Sequence, residues 1–287
     1  MRKNRASTTA KMVALWRALA DGGATTVPGF RDPYAADMLG GGFGLALAVL
    51  RRRFNRTTPA GGARVAPPYD PIPIRVAVID AELVEAVKQG CRQVVILGAG
   101  FDTRAYRLEA LAGLKVFEVD HPATQADKRE RARALPRALA EVVWTAVDFE
   151  RDSLAERLAA AGHDAAAPTV WVWEGVVMYL ADEAVSATLD AVRARSAAGS
   201  VLVLHYHEPS DTGLRRGLRG LLMSSLGEPQ IGTRSRVAMR GLVERAGLVV
   251  AKDLGIAEQA SQVGAAAPDN DLARISRILI ARTDQSC

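Results

Sequence analysis

The chain has 287 residues, of which 49% are hydrophobic, 24% charged and 5% aromatic. That balance supplies a sizeable core and excludes wholesale disorder, and the length suits one large domain, or one domain with a cap, rather than three. Basic residues outnumber acidic ones 37 to 32, for a formal net charge of +5, and no aromatics interleave with the arginines as they would in a nucleic-acid-binding stripe. Two basic clusters stand out: Arg51, Arg52, Arg53, Arg56 and Arg64, then Arg215, Arg216, Arg219, Arg234, Arg236, Arg240 and Arg245. Each reads either as a solvated face or as an attractor for an acidic small molecule or anionic carrier. The longest charge-free stretch, 38–50, is too short to span a bilayer. Its glycines at 40, 41, 42 and 44 argue against a stiff helix there. The basic N-terminus lacks the apolar run of a signal peptide. Two cysteines, Cys91 and Cys287, make neither a disulfide framework nor a metal cage. The expectation is a cytoplasmic protein that needs no metal and no membrane.

In chain order, Thr8–Asp21 carries Met12, Val13, Trp16, Leu19 and Ala20 at helical spacing. Asp32-Pro33 is expected to open a second helical stretch, because proline suits a first helical position. Prolines and glycines over 57–73 predict a loop or hinge. Residues 74–88 then form an amphipathic helix. From Gln93 the pattern changes to short apolar runs at 93–97, 115–119, 142–147, 169–173, 200–206, 248–254 and 275–281, separated by turns and helical stretches. Val185, Leu189 and Val192 mark one face of the helix between the fourth and fifth runs. Strands rich in Val, Ile and Leu that alternate with helices predict an α/β fold with a doubly wound, mainly parallel, seven-stranded sheet. The last two runs suit an antiparallel edge. The Arg-rich segment 214–245, between runs five and six, is a candidate lid.

Ligands of such a sheet bind beyond the carboxyl ends of its strands. The first strand ends in Gly98-Ala99-Gly100, a turn that lets the backbone approach a ligand closely. A dinucleotide fingerprint needs a third glycine at position 103, where this chain has Thr103. The second strand ends in Asp120, placed to accept hydrogen bonds from ribose hydroxyls, with Glu118 on the same face two residues back. The third ends in Asp148-Phe149, an acceptor and an apolar wall for an adenine ring. The fourth ends in Glu174-Gly175. Taken singly, each is an ordinary turn or cap residue. Together, and without Gly at 103, they favour an adenosine ligand that lacks a pyrophosphate, and S-adenosylmethionine fits that description.

The motifs QVVILGAGFDTRAYRL (93–108), FEVDHPATQADKRE (117–130), AVDFE (146–150) and WEGVVMYL (173–180) resemble, in order and spacing, the leucine carboxyl methyltransferase-like family. That family includes bacterial O-methyltransferases of polyketide pathways and many actinobacterial enzymes. Asp32-Pro33 and Gly227-Glu228-Pro229 look like its flanking features. The resemblance implies a class I methyltransferase, Rossmann-like, with a helical N-terminal extension over 1–90 packed on a core over 91–287, and a lid insertion over 207–245. It implies S-adenosylmethionine as methyl donor. Carried over, Gly98, Ala99 and Gly100 line the cofactor, Asp120 holds the ribose, and Asp148 and Phe149 frame the adenine. Arg75 pairs with the methionine carboxylate, and Glu174 sits near the methionine ammonium or the substrate entrance. Val76 replaces a threonine usual in the family, and Gln230 replaces an aromatic.

Methyl transfer from a sulfonium is an in-line displacement, so the protein's main task is to align the reactants and exclude water. A carboxylate acceptor needs no base, whereas a phenol or enol gains from one. The concentrated candidates are in His205-Tyr206-His207-Glu208 at the end of the fifth strand. Its alternation sends His205 and His207 to one face and Tyr206 and Glu208 to the other. His207, Tyr206 and Glu174 are the candidate catalytic residues. His121 reads as a helix cap, His163 as part of a surface loop, Tyr179 as a pocket or core residue, and Met12, Trp16 and Trp171 as packing. The expected function is O-methylation of a small-molecule hydroxyl or carboxylate, in secondary metabolism. The alternatives are a non-catalytic S-adenosylmethionine-binding module and a nicotinamide-dependent oxidoreductase.

Overall fold

The computed structural model describes residues 8–57, 67–149, 151–209 and 232–284. Its centre is a seven-stranded sheet in the order β3-β2-β1-β4-β5-β7-β6. The strands are β1 (Gln93–Leu97), β2 (Lys115–Asp120), β3 (Glu141–Ala146), β4 (Thr169–Trp173), β5 (Val201–His207), β6 (Val249–Leu254) and β7 (Ser276–Arg282). β1 to β5 are parallel, while β7 runs antiparallel to both β5 and β6. The antiparallel strand is therefore inserted between β5 and β6, and β6 alone forms that edge. The helices are α1 (Thr8–Asp21), α2 (Gly42–Thr57), α3 (Pro71–Lys88), α4 (Arg104–Arg107), α5 (Pro122–Ala132), α6 (Leu154–Ala160), α7 (Asp182–Ala194), α8 (Arg236–Arg245), α9 (Ile256–Gln262) and α10 (Asp271–Ile275).

The parallel strands are apolar on both faces because each face is covered. Val95, Leu97, Phe117, Val119, Trp171, Trp173, Leu202 and Leu204 pack against α6, α7 and α8. The alternate residues Val94, Ile96, Val116, Val170, Val172 and Val203 pack against Val78, Ile79 and Leu83 of α3. Val185, Leu189 and Val192 of α7 are fully buried, as their spacing predicts. Pro71 and Pro73 lie in the first turn of α3, where a missing N–H is tolerated. Of the lid expected over 207–245, residues 210–231 lie outside the described residues, and Arg236–Arg245 forms α8, which buries Met239, Leu242 and Val243 against the sheet.

Three local expectations fail. No helix follows Asp32-Pro33: residues 33–38 are turns. The glycine-rich stretch instead leads into α2, which starts immediately after Gly41 at φ +52°. Burial of Leu47, with Phe43, Leu50 and Phe54 packed around it against α1, outweighs the helix-weakening effect of Gly42 and Gly44. His163 is not on a surface loop. It is 4% exposed, packed between the rings of Phe117 and Trp171, with its Nε2 within reach of Thr169 Oγ1 (3.2 Å) and Gln93 Nε2 (3.4 Å). A short turn after α6 folds back over β1 and β4, and nothing in the local sequence marks that return.

The buried site drives the His163 pKa from 6.5 down to about 4, first by desolvation and then by the Arg195 guanidinium. The unfolded chain takes up a proton there near pH 6.5 that the folded chain refuses, so stability should fall as pH drops from about 6.5 towards 4. Urea midpoints at about pH 7 and 4.5 should show that loss in the wild type and a smaller loss in His163→Gln. Equal losses in the two would assign the acid sensitivity to other groups.

Candidate active site

The site lies beyond the carboxyl ends of β1, β2, β3 and β4, next to where strand order reverses between β1 and β4. Gly98 and Gly100 both have positive φ, +67° and +47°, a conformation glycine adopts without strain. A Cβ at Gly98 would also collide with Val176, in the loop after β4. The turn is pinned to β2: Ala99 N–H donates to the Val119 carbonyl at 3.0 Å. Gly100 N–H donates to Asp120 Oδ2 at 2.5 Å, and His121 N–H donates to Asp120 Oδ1 at 2.6 Å. Each carboxylate oxygen thus spends one acceptor position on the backbone and keeps another for a ligand hydroxyl. Burial raises the Asp120 pKa, partly offset by those two amides. His121 caps α5, its Nδ1 accepting from Ala123 N–H at 3.2 Å. Behind Asp120, Glu118 pairs with Lys128 of α5 at 2.5 Å, both side chains 1% exposed, which fixes α5 against the end of β2.

Arg75, on α3, meets Glu174 at the end of β4: Nε donates to Oε1 at 2.8 Å. The second oxygen of Glu174 accepts from Arg104 Nη2 at 2.8 Å. Arg104 also donates from Nε to Asp80 Oδ1 at 2.6 Å and from Nη1 to Asp102. Arg107 then links Asp80 (Nη1 to Oδ2, 2.6 Å) to Asp32 (3.7 Å), and Asp32 pairs with Arg17 at 2.8 Å. Four guanidiniums (Arg17, Arg75, Arg104 and Arg107) and four carboxylates (Asp32, Asp80, Asp102 and Glu174) therefore balance inside the protein. For Asp102, burial alone would raise the pKa, but Arg104, then Lys128 and Arg17, outweigh it and bring the carboxyl down to about 2. For Glu174, burial is likewise outweighed by Arg104 and Arg75, and its carboxyl is held below the usual range.

The residues singled out in the sequence are not all in one place. Gly98, Ala99, Gly100 and Asp120 form one contiguous turn, and Arg75 and Glu174 form an ion pair. Asp148 and Phe149 follow β3, both part-buried; the Asp148 carbonyl accepts from Arg151 and Asp152 N–H, and Phe149 packs against the sheet core. β5 divides as its alternation requires. His205 faces α3, with Nε2 3.5 Å from Arg75 Nη1 and 3.1 Å from Ser276 Oγ. His207 shares that face, its ring centroid 5.0 Å from that of His205. Tyr206 is buried on the other face in the α7 and α8 layer, its hydroxyl bonded to Asp253 at 3.0 Å. Burial, then Arg75 and His207, hold the His205 pKa well below 6.5, so this imidazole is neutral at pH 7.

Nothing in the sequence singles out Arg17, Asp80, Asp102, Arg104 or Arg107. GAGFDTR holds two of them, but only the fold shows that their charges join one buried chain of ion pairs. The sequence gives Asp32 no side-chain partner, and it marks Thr103 only by the glycine absent there.

The family model of leucine carboxyl methyltransferase matches residues 10–193, more than half of the chain. This chain belongs to that family. A relative from Mycolicibacterium paratuberculosis is 38% identical over 211 residues, covering 71% of this chain and 67% of its own length. One from Mycolicibacterium smegmatis is 38% identical over 222 residues, covering 75% and 70%. Both carry the name "Putative S-adenosyl-L-methionine-dependent methyltransferase". A Frankia alni relative is 40% identical over 165 residues, and the match spans about half (53%) of its length. Among solved structures, a DUF574-family protein from Streptomyces avermitilis aligns with a TM-score of 0.60 at 14% identity, over 97% of this chain and 98% of its own. A Thermobifida fusca structure aligns at 0.58 and 15% identity, over 99% and 97%. At such identities these two show the fold alone.

Removing one member of a buried charge cluster leaves its partners uncompensated, typically at a loss of about 3 kcal/mol or more. Glu174→Gln should therefore lower the urea-unfolding free energy by about 3 kcal/mol, because Arg75 and Arg104 would share a neutral amide. An unchanged unfolding free energy would mean that water or other carboxylates neutralise them.

Proposed function

We propose that this member of the leucine carboxyl methyltransferase family transfers a methyl group from S-adenosylmethionine to an oxygen of a small molecule, a hydroxyl or a carboxylate. The coarser part rests on the family: the chain is an S-adenosylmethionine-dependent methyltransferase. The observation that carries it to these residues is the Arg75–Glu174 pair beside the Gly98–Gly100 turn and Asp120. An amino acid zwitterion presents the opposite charges, so its carboxylate suits Arg75 and its ammonium suits Glu174. Asp120 has the spare acceptor positions that ribose hydroxyls need. The positive φ of Gly98 and the close approach of Val176 keep that turn free of side chains, as a cradle for a nucleoside requires. The residues present therefore fit the cofactor, with Asp148 and Phe149 at the adenine end.

When bound, the cofactor supplies an electrophilic methyl carbon already activated by its sulfonium. The protein supplies alignment: Arg75 and Glu174 hold one end and Asp120 the other. Rigid placement of that kind can be worth effective molarities on the order of 10⁵ M or more. The reading as an oxygen methyltransferase follows the family description, whose acceptor is a carboxyl group. Where the acceptor is a phenol, a base speeds the transfer. His207 is favoured over Tyr206, because Tyr206 is committed to Asp253 on the far side of the sheet. The work in secondary metabolism is part of this proposal, as is the small size of the acceptor.

Isothermal titration of S-adenosylhomocysteine into protein stripped of bound ligand should show one saturable site. Asp120→Ala should abolish that heat while circular dichroism and melting stay close to wild type; full affinity in that variant would sink the assignment. Methyl transfer to a panel of phenols and carboxylic acids, followed by mass spectrometry, then separates the two acceptors. His207→Gln should reduce kcat on a phenol by about 10²-fold or more and leave kcat on a carboxylate within a fewfold of wild type. Equal losses on both would make His207 a structural residue.

A further inference from the structure

The cofactor turn is held on one side by β2, through Ala99 and Gly100. On its other side it is held by the N-terminal segment, outside the sheet domain. Arg17 of α1 donates from Nη2 to the Phe101 carbonyl at 2.5 Å. Its Nη1 reaches both Asp32 Oδ2, at 2.8 Å, and Thr103 Oγ1, at 3.3 Å. Thr103 donates its hydroxyl proton to Asp32 Oδ1 at 2.7 Å and also accepts from Arg107 Nε at 3.2 Å. A hydroxyl has one proton to give and two lone pairs to fill, so Thr103 is saturated. Asp32 is 1% exposed, Thr103 fully buried and Arg17 5% exposed. The first turn of α1 also lies over the glycine turn, where a Cβ at Gly100 would come 3.3 Å from Ala10 Cβ.

We infer that Asp32 and Arg17 are positioning residues for the cofactor: the N-terminal segment sets the geometry of the nucleoside cradle through the Phe101 carbonyl and the Thr103 hydroxyl. Phe101 is bonded in sequence to Gly100, and the Gly100 N–H aims the Asp120 carboxylate. On the other side, Thr103 is bonded to Arg104, whose guanidinium fixes Glu174. A shift at Asp32 therefore reaches both ends of the cofactor site without Asp32 touching it. A desolvated, charge-assisted network has few alternative arrangements, so it transmits such a shift rather than absorbing it. This gives Asp32-Pro33 a task in a segment that forms no helix, and gives Thr103 a positive reason to replace glycine.

The inference rests on the cofactor reading above, and its test separates the two. Affinities for S-adenosylhomocysteine and for 5′-methylthioadenosine, which lacks the amino acid end, are measured by calorimetry well below each variant's melting temperature. Asp32→Asn and Thr103→Val should weaken both ligands by about tenfold or more, a size expected when a buried hydrogen bond to a charged group is lost. Thr103→Ser, which keeps the hydroxyl, should bind as wild type does. In the ligand-free protein, the Gly100 amide should exchange faster in Thr103→Val than in Thr103→Ser. If Asp32→Asn and Thr103→Val melt lower but bind both ligands within twofold of wild type, the network is a structural staple and the inference is wrong, while the cofactor reading stands. If Asp32→Asn does not fold, the Thr103 pair decides. Wild-type protein that binds neither nucleoside overturns both.

Discussion

Everything at the carboxyl end of this sheet depends on Glu174 being shared between Arg75 and Arg104. A buried pair of one carboxylate and one guanidinium could be replaced whole by apolar side chains with little loss. Shared between two, it ties α3 to the first residue of α4, and both to the end of β4. Arg104 extends the circuit to Asp80 and Asp102, Arg107 to Asp32, and Asp32 to Arg17. Such clusters add little net stability, because desolvation of each ion offsets most of the attraction. What they provide is one permitted arrangement. Moving an inner member such as Glu174, Asp80 or Asp32 strands two others, so the chain holds a fixed spacing among α3, the glycine turn and the end of β4.

That fixed spacing is what methyl transfer asks of a protein. The reacting carbon is activated by its own sulfonium, so proton chemistry is secondary and alignment dominates. β5 divides these tasks by its pleat. His205 and His207 lie on the face of Arg75 and α3, while Tyr206 and Asp253 lock α8 and β6 on the other. His205 is kept neutral beside Arg75, so it adds an acceptor without adding a competing positive charge. A protonated imidazole there would repel the guanidinium that faces Glu174.

The sheet was legible in the sequence because parallel strands buried on both faces must be continuous runs of apolar residues. Seven such runs fall close to the seven strands observed. The glycine turn, Asp120 and Glu174 were legible because their positions at strand ends are set by the same periodicity. The place of β7 was not, since strand order depends on crossovers that leave no local pattern. Nor was the contrast between 33–38 and α2. Propensity favoured a helix after Pro33 and disfavoured one through Gly42 and Gly44, yet packing of Leu47 on α1 decided the second, and Asp32 is taken up by Arg17 and Thr103. His163 misled for the same reason: a histidine after a glycine looks like a loop until its ring is seen between Phe117 and Trp171.

The charge network escaped the sequence for a deeper reason. Its members are separated by up to 99 residues within a single pair, as between Arg75 and Glu174, and no local pattern tells which charge meets which. Asp80 looks like the solvated face of α3, and Arg17 like the polar side of α1. The physical signature is burial of a charge, which exists only in three dimensions. Once the fold is known, Arg17 is the informative residue. A basic side chain 5% exposed in an N-terminal helix has to be neutralised. The partner that neutralises it, Asp32, is also the acceptor for Thr103, just past the glycine turn. Burying that arginine therefore ties the N-terminal segment to the glycine turn, and α1 cannot move relative to that turn without exposing or stranding a charge.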